Sequence, residues 1–206
     1  MSGDIFIISA PSGTGKSTII RRLLKMIPGL FFSVSYTTRQ QRKNEIQGKD
    51  YCFVSQEEFT ELINNNEFLE YCEVHGNTYG TSEKQVLSLI EKGFDIILDI
   101  DVQGAMKVKQ KCPAAITIFM LPPSIKDLEE RWQKRHSDSE QDKKIRRNNI
   151  NQELQFWHFY DYLVINKYIN ETVEQVKAII IANRCRKDKQ ETLFRTIINE
   201  EILPSL

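Results

Sequence analysis

The residues that most directly suggest chemistry lie in one short run, Ala10-Pro11-Ser12-Gly13-Thr14-Gly15-Lys16-Ser17-Thr18. It follows the GxxxxGK[ST] phosphate-loop pattern, except that Ala10 stands at the first glycine. Gly13 and Gly15 let backbone N–H groups turn toward phosphate oxygens. Lys16 has the reach for the β and γ phosphates of a nucleoside triphosphate, and the Ser17 hydroxyl is the Mg²⁺ ligand of such loops. A helix opening at this point adds its positive dipole end. The run implies a triphosphate donor and leaves the phosphoryl acceptor open.

Two further groupings bear on that acceptor. Ile97-Leu98-Asp99-Ile100-Asp101 places two carboxylates at the end of an apolar segment. In an open α/β sheet this edge is where ligands bind, so Asp99 and Asp101 can face phosphates and metal. The stretch from Ser35 to Ser82 concentrates polar and aromatic groups. Arg39 and Arg42, three apart with tyrosines nearby, suit a phosphate dianion. Glu70 can accept from two adjacent N–H donors, a pair that guanine offers and adenine lacks, while Ser35 or Thr81 can donate to a base carbonyl.

The elements that must position these groups alternate. Asp4–Ala10 reads as a buried strand, and Ile19, Ile20, Leu23, Leu24 and Ile27 share one face of a following helix that Pro28-Gly29 stops. Short strands are expected at 31–35 and 51–54, and Ser55 with Glu58 forms a capping box for a helix to about Asn65. Phe68–Val74 alternates as a half-exposed strand. Beyond it follow a helix capped by Ser82, a strand at 94–100, a helix at 102–111, a strand at 115–121, a helix from Ser124 to about Arg135, a helix at 145–159, a strand at 162–166 and a helix at 171–185. Buried strands alternating with helices imply a parallel sheet covered on both faces. The block at 33–82 breaks the rhythm and reads as an inserted antiparallel lobe. The segment from Lys126 to Arg147 carries eight basic and six acidic residues and reads as a solvated face.

Composition narrows the function class. The chain has 206 residues, 40% hydrophobic and 27% charged, in the range of one globular domain. Lys plus Arg and Asp plus Glu are both 28, which argues against a nucleic-acid-binding surface. No apolar run approaches the ~18 residues of a membrane span, and Met1-Ser2-Gly3-Asp4 lacks the basic start of a signal peptide. The four cysteines show no CxxC spacing, so free thiols and a cytoplasmic location are expected.

Taken together, APSGTGKST at 10–18, SYTTRQQRKNEIQGKDYCFVS at 35–55, EFLEY at 67–71, YGTS at 79–82 and ILDIDVQGA at 97–105 resemble the guanylate kinases of the bacterial single-domain type. The resemblance runs from about residue 4 to 185. It implies an α/β P-loop kinase fold with a core of 1–32, 83–124 and 148–185, a GMP-binding lobe at 33–82, a helical lid at 125–147 and a C-terminal helix or tail at 186–206. It implies transfer from ATP to GMP, with Mg²⁺ and with dGMP also accepted. Ser35, Glu70 and Thr81 would read guanine, and Arg39, Arg42, Tyr51 and Tyr79 would hold the acceptor phosphate. Asp99 and Asp101 would lie between the acceptor and the metal, and Glu45 would orient Arg42. Arg131, Arg135 and Arg146, or Arg147 beside it, would be lid arginines acting with Lys16 on the transferring group. Monomer and homo-oligomer both stay open. Two alternatives also remain: a non-catalytic phosphopeptide-binding module of this fold, and a kinase for another small phosphorylated acceptor. An intact phosphate loop weighs against the first, and a base reader at Glu70 against the second.

Overall fold

The computed structural model describes residues 2–74, 76–133 and 150–198, apart from the side chains of 130–133 and 192. Strand β1 (Ile5–Ser9) is buried along its whole length, as its unbroken apolar run dictates. Helix α1 (Lys16–Met26) buries Ile19, Ile20 and Leu23. It ends where Ile27 turns extended, at φ −112° and ψ 106°, because the ring of Pro28 disfavours a helical residue before it.

β2 (Leu30–Phe32), β7 (Asp95–Asp99), β1, β8 (Ile116–Leu121) and β9 (Tyr162–Ile165) lie side by side in that order, all parallel. The period-two geometry of strands sorts their side chains. Phe6, Ile8, Ile97 and Ile118 join α1 and helix α6 (Ile169–Arg184) in one core. Ile5, Ile7, Ile96 and Leu98 join α3 (Glu83–Glu91) and α4 (Val102–Lys111) in a second core on the opposite face. Both faces are covered, as the alternating pattern predicts.

Between β2 and α3 the chain builds a second sheet, ordered β4-β3-β6-β5, from β3 (Tyr36–Thr37), β4 (Cys52–Phe53), β5 (Phe68–Val74) and β6 (Asn77–Ser82). This sheet is mixed, which corrects the expectation of an antiparallel lobe. β3 pairs antiparallel with β6 but parallel with β4. The loop from 38 to 51 crosses over before β4 returns, a connection that a hairpin-sized turn cannot make. The strand expected at 31–35 ends at Phe32 as β2 of the first sheet, and β3 follows at Tyr36 in the second.

α2 (Gln56–Asn64) begins with the anticipated reciprocal cap, in which Ser55 accepts from the Glu58 N–H and Glu58 from the Ser55 N–H. Its Phe59 stacks on Phe68 with ring centroids 4.7 Å apart. α5 (Ile125–Gln133) starts at Ser124, whose hydroxyl accepts from the Asp127 N–H. Of the helix expected at 145–159, residues 145–149 lie outside the described residues. Residues 150–154 are helical, and Trp157–Phe159 form a separate 3₁₀ turn. α7 (Lys187–Ile197) closes the described chain with Leu193, Phe194 and Ile197 exposed. None of the described helices is long and apolar enough to cross a membrane.

Candidate active site

The phosphate loop leaves β1 at the edge of the sheet where β7 also ends. Gly13 and Gly15 stand at φ 91° and 98°, the left-handed region that only glycine occupies without strain. Thr14 is locked inward, its N–H and hydroxyl both donating to the Pro11 carbonyl at 3.1 and 2.6 Å. Lys16 Nζ sits 2.5 Å from Asp99 Oδ1 and donates to the Ile100 carbonyl at 3.4 Å. The parallel register aligns Ile8 with Asp99, so the strand end that carries this carboxylate lies directly beside the loop.

A cleft of about 480 Å³ is bounded by the whole run 10–18 together with Ser35, Arg42, Tyr51, Glu70, Tyr79, Asp99 and Asp101. The structure therefore brings the donor loop and most of the expected acceptor residues into one space. Arg39 borders an adjoining cleft of about 690 Å³, which Arg42, Tyr51, Tyr79 and Asp99 also line. Thr81 does not face the cleft itself. It is fully buried and donates to Glu70 Oε1 at 2.6 Å.

Glu70 is the most unusual of these groups. It is 3% exposed, and its second oxygen, Oε2, has no hydrogen-bond partner among the described residues. Burial pushes its carboxyl up to about 7. A buried acceptor left unpaired costs roughly 1–3 kcal/mol, which a ligand donor would offset. A register shift between Phe68 and Glu70 explains how a carboxylate comes to lie there. Bulges re-aim side chains. Phe68, Leu69 and Glu70 are all buried, where strict alternation would have exposed one of them. Leu69 enters the main-sheet core and Phe68 meets Phe59, which leaves Glu70 on the cleft. Gly104 on α4 is the other half of the fit, because a Cβ there would stand 2.8 Å from Glu70 Oε2.

Asp101 lines the cleft and also caps α4. Its Oδ1 accepts from the Gly104 N–H at 2.9 Å and from the Cys72 thiol at 3.3 Å. Ser35 is 7% exposed at the cleft wall. Tyr51 and Tyr79 meet edge to face, with ring centroids 5.9 Å apart, and burial pushes the Tyr51 hydroxyl up to about 12. That keeps it a neutral donor at any ordinary pH.

Glu45 does not hold the arginine expected of it. Its Oε1 pairs with Arg39 Nη2 at 2.8 Å, and its Oε2 accepts the backbone N–H of Arg42 at 2.8 Å. The Arg42 side chain is exposed, while the Arg39 guanidinium stands 5.3 Å from the Tyr51 ring centroid and 5.6 Å from that of Phe53. The loop turns back between 42 and 45, so a backbone contact replaces the anticipated side-chain one. The Arg39 hydrogen bond holds the Glu45 carboxyl below its usual value.

Arg131 lies on α5, where only the backbone is described; Arg135, Arg146 and Arg147 lie outside the described residues. Two groups on the cleft and one behind the loop were not singled out from sequence. Cys72 and Glu153 line the cleft, and burial pushes Glu153 up to about 7. Asn166 donates from Nδ2 to the Thr14 carbonyl at 2.6 Å. No motif marks them, since each is placed by packing between distant segments.

The donor chemistry fits Mg²⁺ held mainly through phosphate oxygens and water: one hydroxyl at Ser17, with the carboxylates of Asp99 and Asp101 on the same cleft. Among the described residues, no three His, Cys, Asp or Glu side chains form an all-protein cage for a metal.

Comparison with known proteins agrees with this geometry. The family description "Guanylate kinase" matches residues 2–183. A guanylate kinase of Caldanaerobacter subterraneus subsp. tengcongensis is 42% identical over 200 residues, covering 97% of each chain. One of Thermotoga maritima is 43% identical over 191 residues, covering 93% of this chain and 92% of its own. The crystal structure of guanylate kinase from Anaplasma phagocytophilum superposes with a TM-score of 0.80 at 32% identity, covering 100% of this chain and 97% of that one. A match over nearly the whole length, on a fold with a phosphate loop facing a buried carboxylate, places the chain in the guanylate kinase family, the nucleoside monophosphate kinases that move a phosphoryl group from ATP to GMP.

Proposed function

We propose that this chain phosphorylates GMP from ATP by direct in-line transfer, with the donor phosphates on the loop 10–18 and the guanine on Glu70. The observation that carries the reading is Glu70 Oε2, without a partner among the described residues, on a side chain 3% exposed at the same cleft as the loop. Guanine N1–H and N2–H are two parallel donors that match a carboxylate, and adenine presents no such pair. Thr81 already occupies Oε1 and fixes the carboxylate plane. Ser35 supplies a hydroxyl for the base carbonyl O6.

The acceptor phosphate goes to Arg39, Arg42, Tyr51 and Tyr79. Glu45 and the rings of Tyr51 and Phe53 preset the Arg39 guanidinium, so little side-chain freedom remains to be lost on binding. On the donor side, Lys16 exchanges its contact with Asp99 for the β and γ phosphates. Mg²⁺, held by Ser17 and through water by Asp99 or Asp101, supplies charge neutralisation on those phosphates when bound. Arg131, Arg135 and Arg146 are assigned to the lid, where they would meet the transferring group as water is excluded. No covalent enzyme intermediate is needed, because the protein's contribution is position and charge.

A coupled assay of ADP release across GMP, dGMP, AMP, CMP, UMP and IMP tests the reading. GMP and dGMP turn over well. AMP is poorer by ~10⁴, the penalty of leaving buried polar readers unpaired. Comparable rates with AMP and GMP would overturn it.

A further inference from the structure

We propose that Asn166 is a positioning residue that sets the conformation of the donor-phosphate loop, and that Thr172 in turn sets Asn166. The inference rests on reading residues 10–18 as the ATP site.

Asn166 follows β9 and is 2% exposed. Its backbone N–H donates to the Leu121 carbonyl at 2.8 Å, which fixes it to the end of β8. Its Nδ2 donates to the Thr14 carbonyl at 2.6 Å, a contact between residues 152 positions apart. Thr172, 1% exposed on α6, places its Oγ1 3.0 Å from Asn166 Oδ1. The chemistry leaves one orientation for the amide. The Thr14 carbonyl can only accept, so the NH₂ must face it, and Oδ1 then faces the Thr172 hydroxyl, which also stands 3.1 Å from the Tyr168 carbonyl.

That contact decides where a neighbouring donor points. A trans peptide plane carries its C=O and its N–H in opposite directions. Anchoring the Thr14 carbonyl at the back of the loop therefore aims the Gly15 N–H toward the front, where phosphate oxygens would lie. Gly15 stands at φ 98°, and a Cβ on it would come within 3.0 Å of Asn166 Nδ2. Having a glycine on one side makes the 14–15 peptide easy to flip. The Asn166 amide supplies the restraint that the glycine removes. The hydrogen bonds of Thr14 to Pro11 fix the other flank of the same peptide.

Steady-state kinetics of the full-length chain, with ATP and GMP varied in turn, test this together with thermal midpoints. Asn166→Ala raises KM for ATP about tenfold, the size of one lost neutral hydrogen bond, and leaves KM for GMP within twofold. Asn166→Asp, which sets a carboxylate oxygen against a carbonyl oxygen, is worse than the alanine variant. Thr172→Val gives an intermediate rise, and Thr172→Ser restores the wild-type value. A merely structural role would lower the midpoint and move both KM values together or neither, and either outcome overturns the proposal. If the Asn166 variants do not fold, the Thr172→Val and Thr172→Ser pair decides it with Asn166 in place. Lys16→Ala in the same assay separates the two levels. Normal turnover in that variant overturns the ATP-site reading itself. Lost turnover there, with a wild-type KM for ATP in Asn166→Ala and Thr172→Val, overturns only the role of Asn166.

Discussion

The phosphate loop is braced from behind and its lysine already engaged: Asn166 holds Thr14, Pro11 receives two hydrogen bonds from Thr14, and Lys16 rests on Asp99. Across the cleft, the second sheet and its loops keep Glu70 Oε2 without a partner among the described residues and Arg42 exposed. On the proposed function, the difference follows from what each side would bind. A polyphosphate presents many equivalent oxygens, so a fixed ring of N–H donors serves it. A base must be distinguished from close relatives, and an unsatisfied buried acceptor penalises the wrong one more than it rewards the right one. The donor side is thus built for strength and the acceptor side for choice.

Breaking the donor side carries the largest effect. Lys16→Ala lowers kcat by ~10³ or more, because a charge aimed at the transferring group is lost. GMP affinity, measured by calorimetry, stays within a few-fold. A comparable loss of GMP affinity would mean that the two sides are not separable.

On the acceptor side, Arg39→Ala raises KM for GMP by ~10–100-fold with a smaller change in kcat, since a phosphate contact made in both ground and transition states is removed. Glu45→Gln weakens GMP binding less, because it loosens the Arg39 guanidinium without removing it. Equal effects of the two changes would indicate that Glu45 itself touches the ligand.

A smaller and graded effect comes from pH. Glu70 titrates at about 7 in the folded chain against 4.5 ordinarily, and burial is the cause. On the proposed function GMP needs the ionised form, so GMP affinity falls as pH drops below about 7. Folding responds in the opposite sense. A raised carboxyl pKa favours the folded state at low pH, and that contribution is lost as pH rises from 4.5 through about 7. Calorimetric GMP titrations from pH 5.5 to 8.5 check the first part; Glu70→Gln binds more weakly and keeps only the limb set by the acceptor phosphate's own second ionisation at ~6.

How far the cleft can be read from sequence follows the same divide. The loop 10–18, the carboxylate at Asp99, the cap at Ser55 and Glu58 and the two-faced parallel sheet depend on local spacing and periodicity, which a linear chain displays. The bulge before Glu70, the parallel return of β4, the pairing of Glu45 with Arg39 and the reach of Asn166 to Thr14 are set by packing between distant segments. Strand alternation predicts a half-exposed β5, whereas three consecutive buried residues are what turn Glu70 into the cleft.

Discrimination between GMP and IMP in wild type and in Glu70→Gln tests the central claim most directly. IMP lacks only the 2-amino group, so kcat/KM with IMP falls below that with GMP by roughly 10–100-fold, about the cost of one charge-assisted hydrogen bond. In Glu70→Gln the amide cannot accept both N–H groups as a carboxylate does, and the ratio collapses toward one. An unchanged GMP-to-IMP ratio in Glu70→Gln would contradict the assignment of Glu70 as the guanine reader.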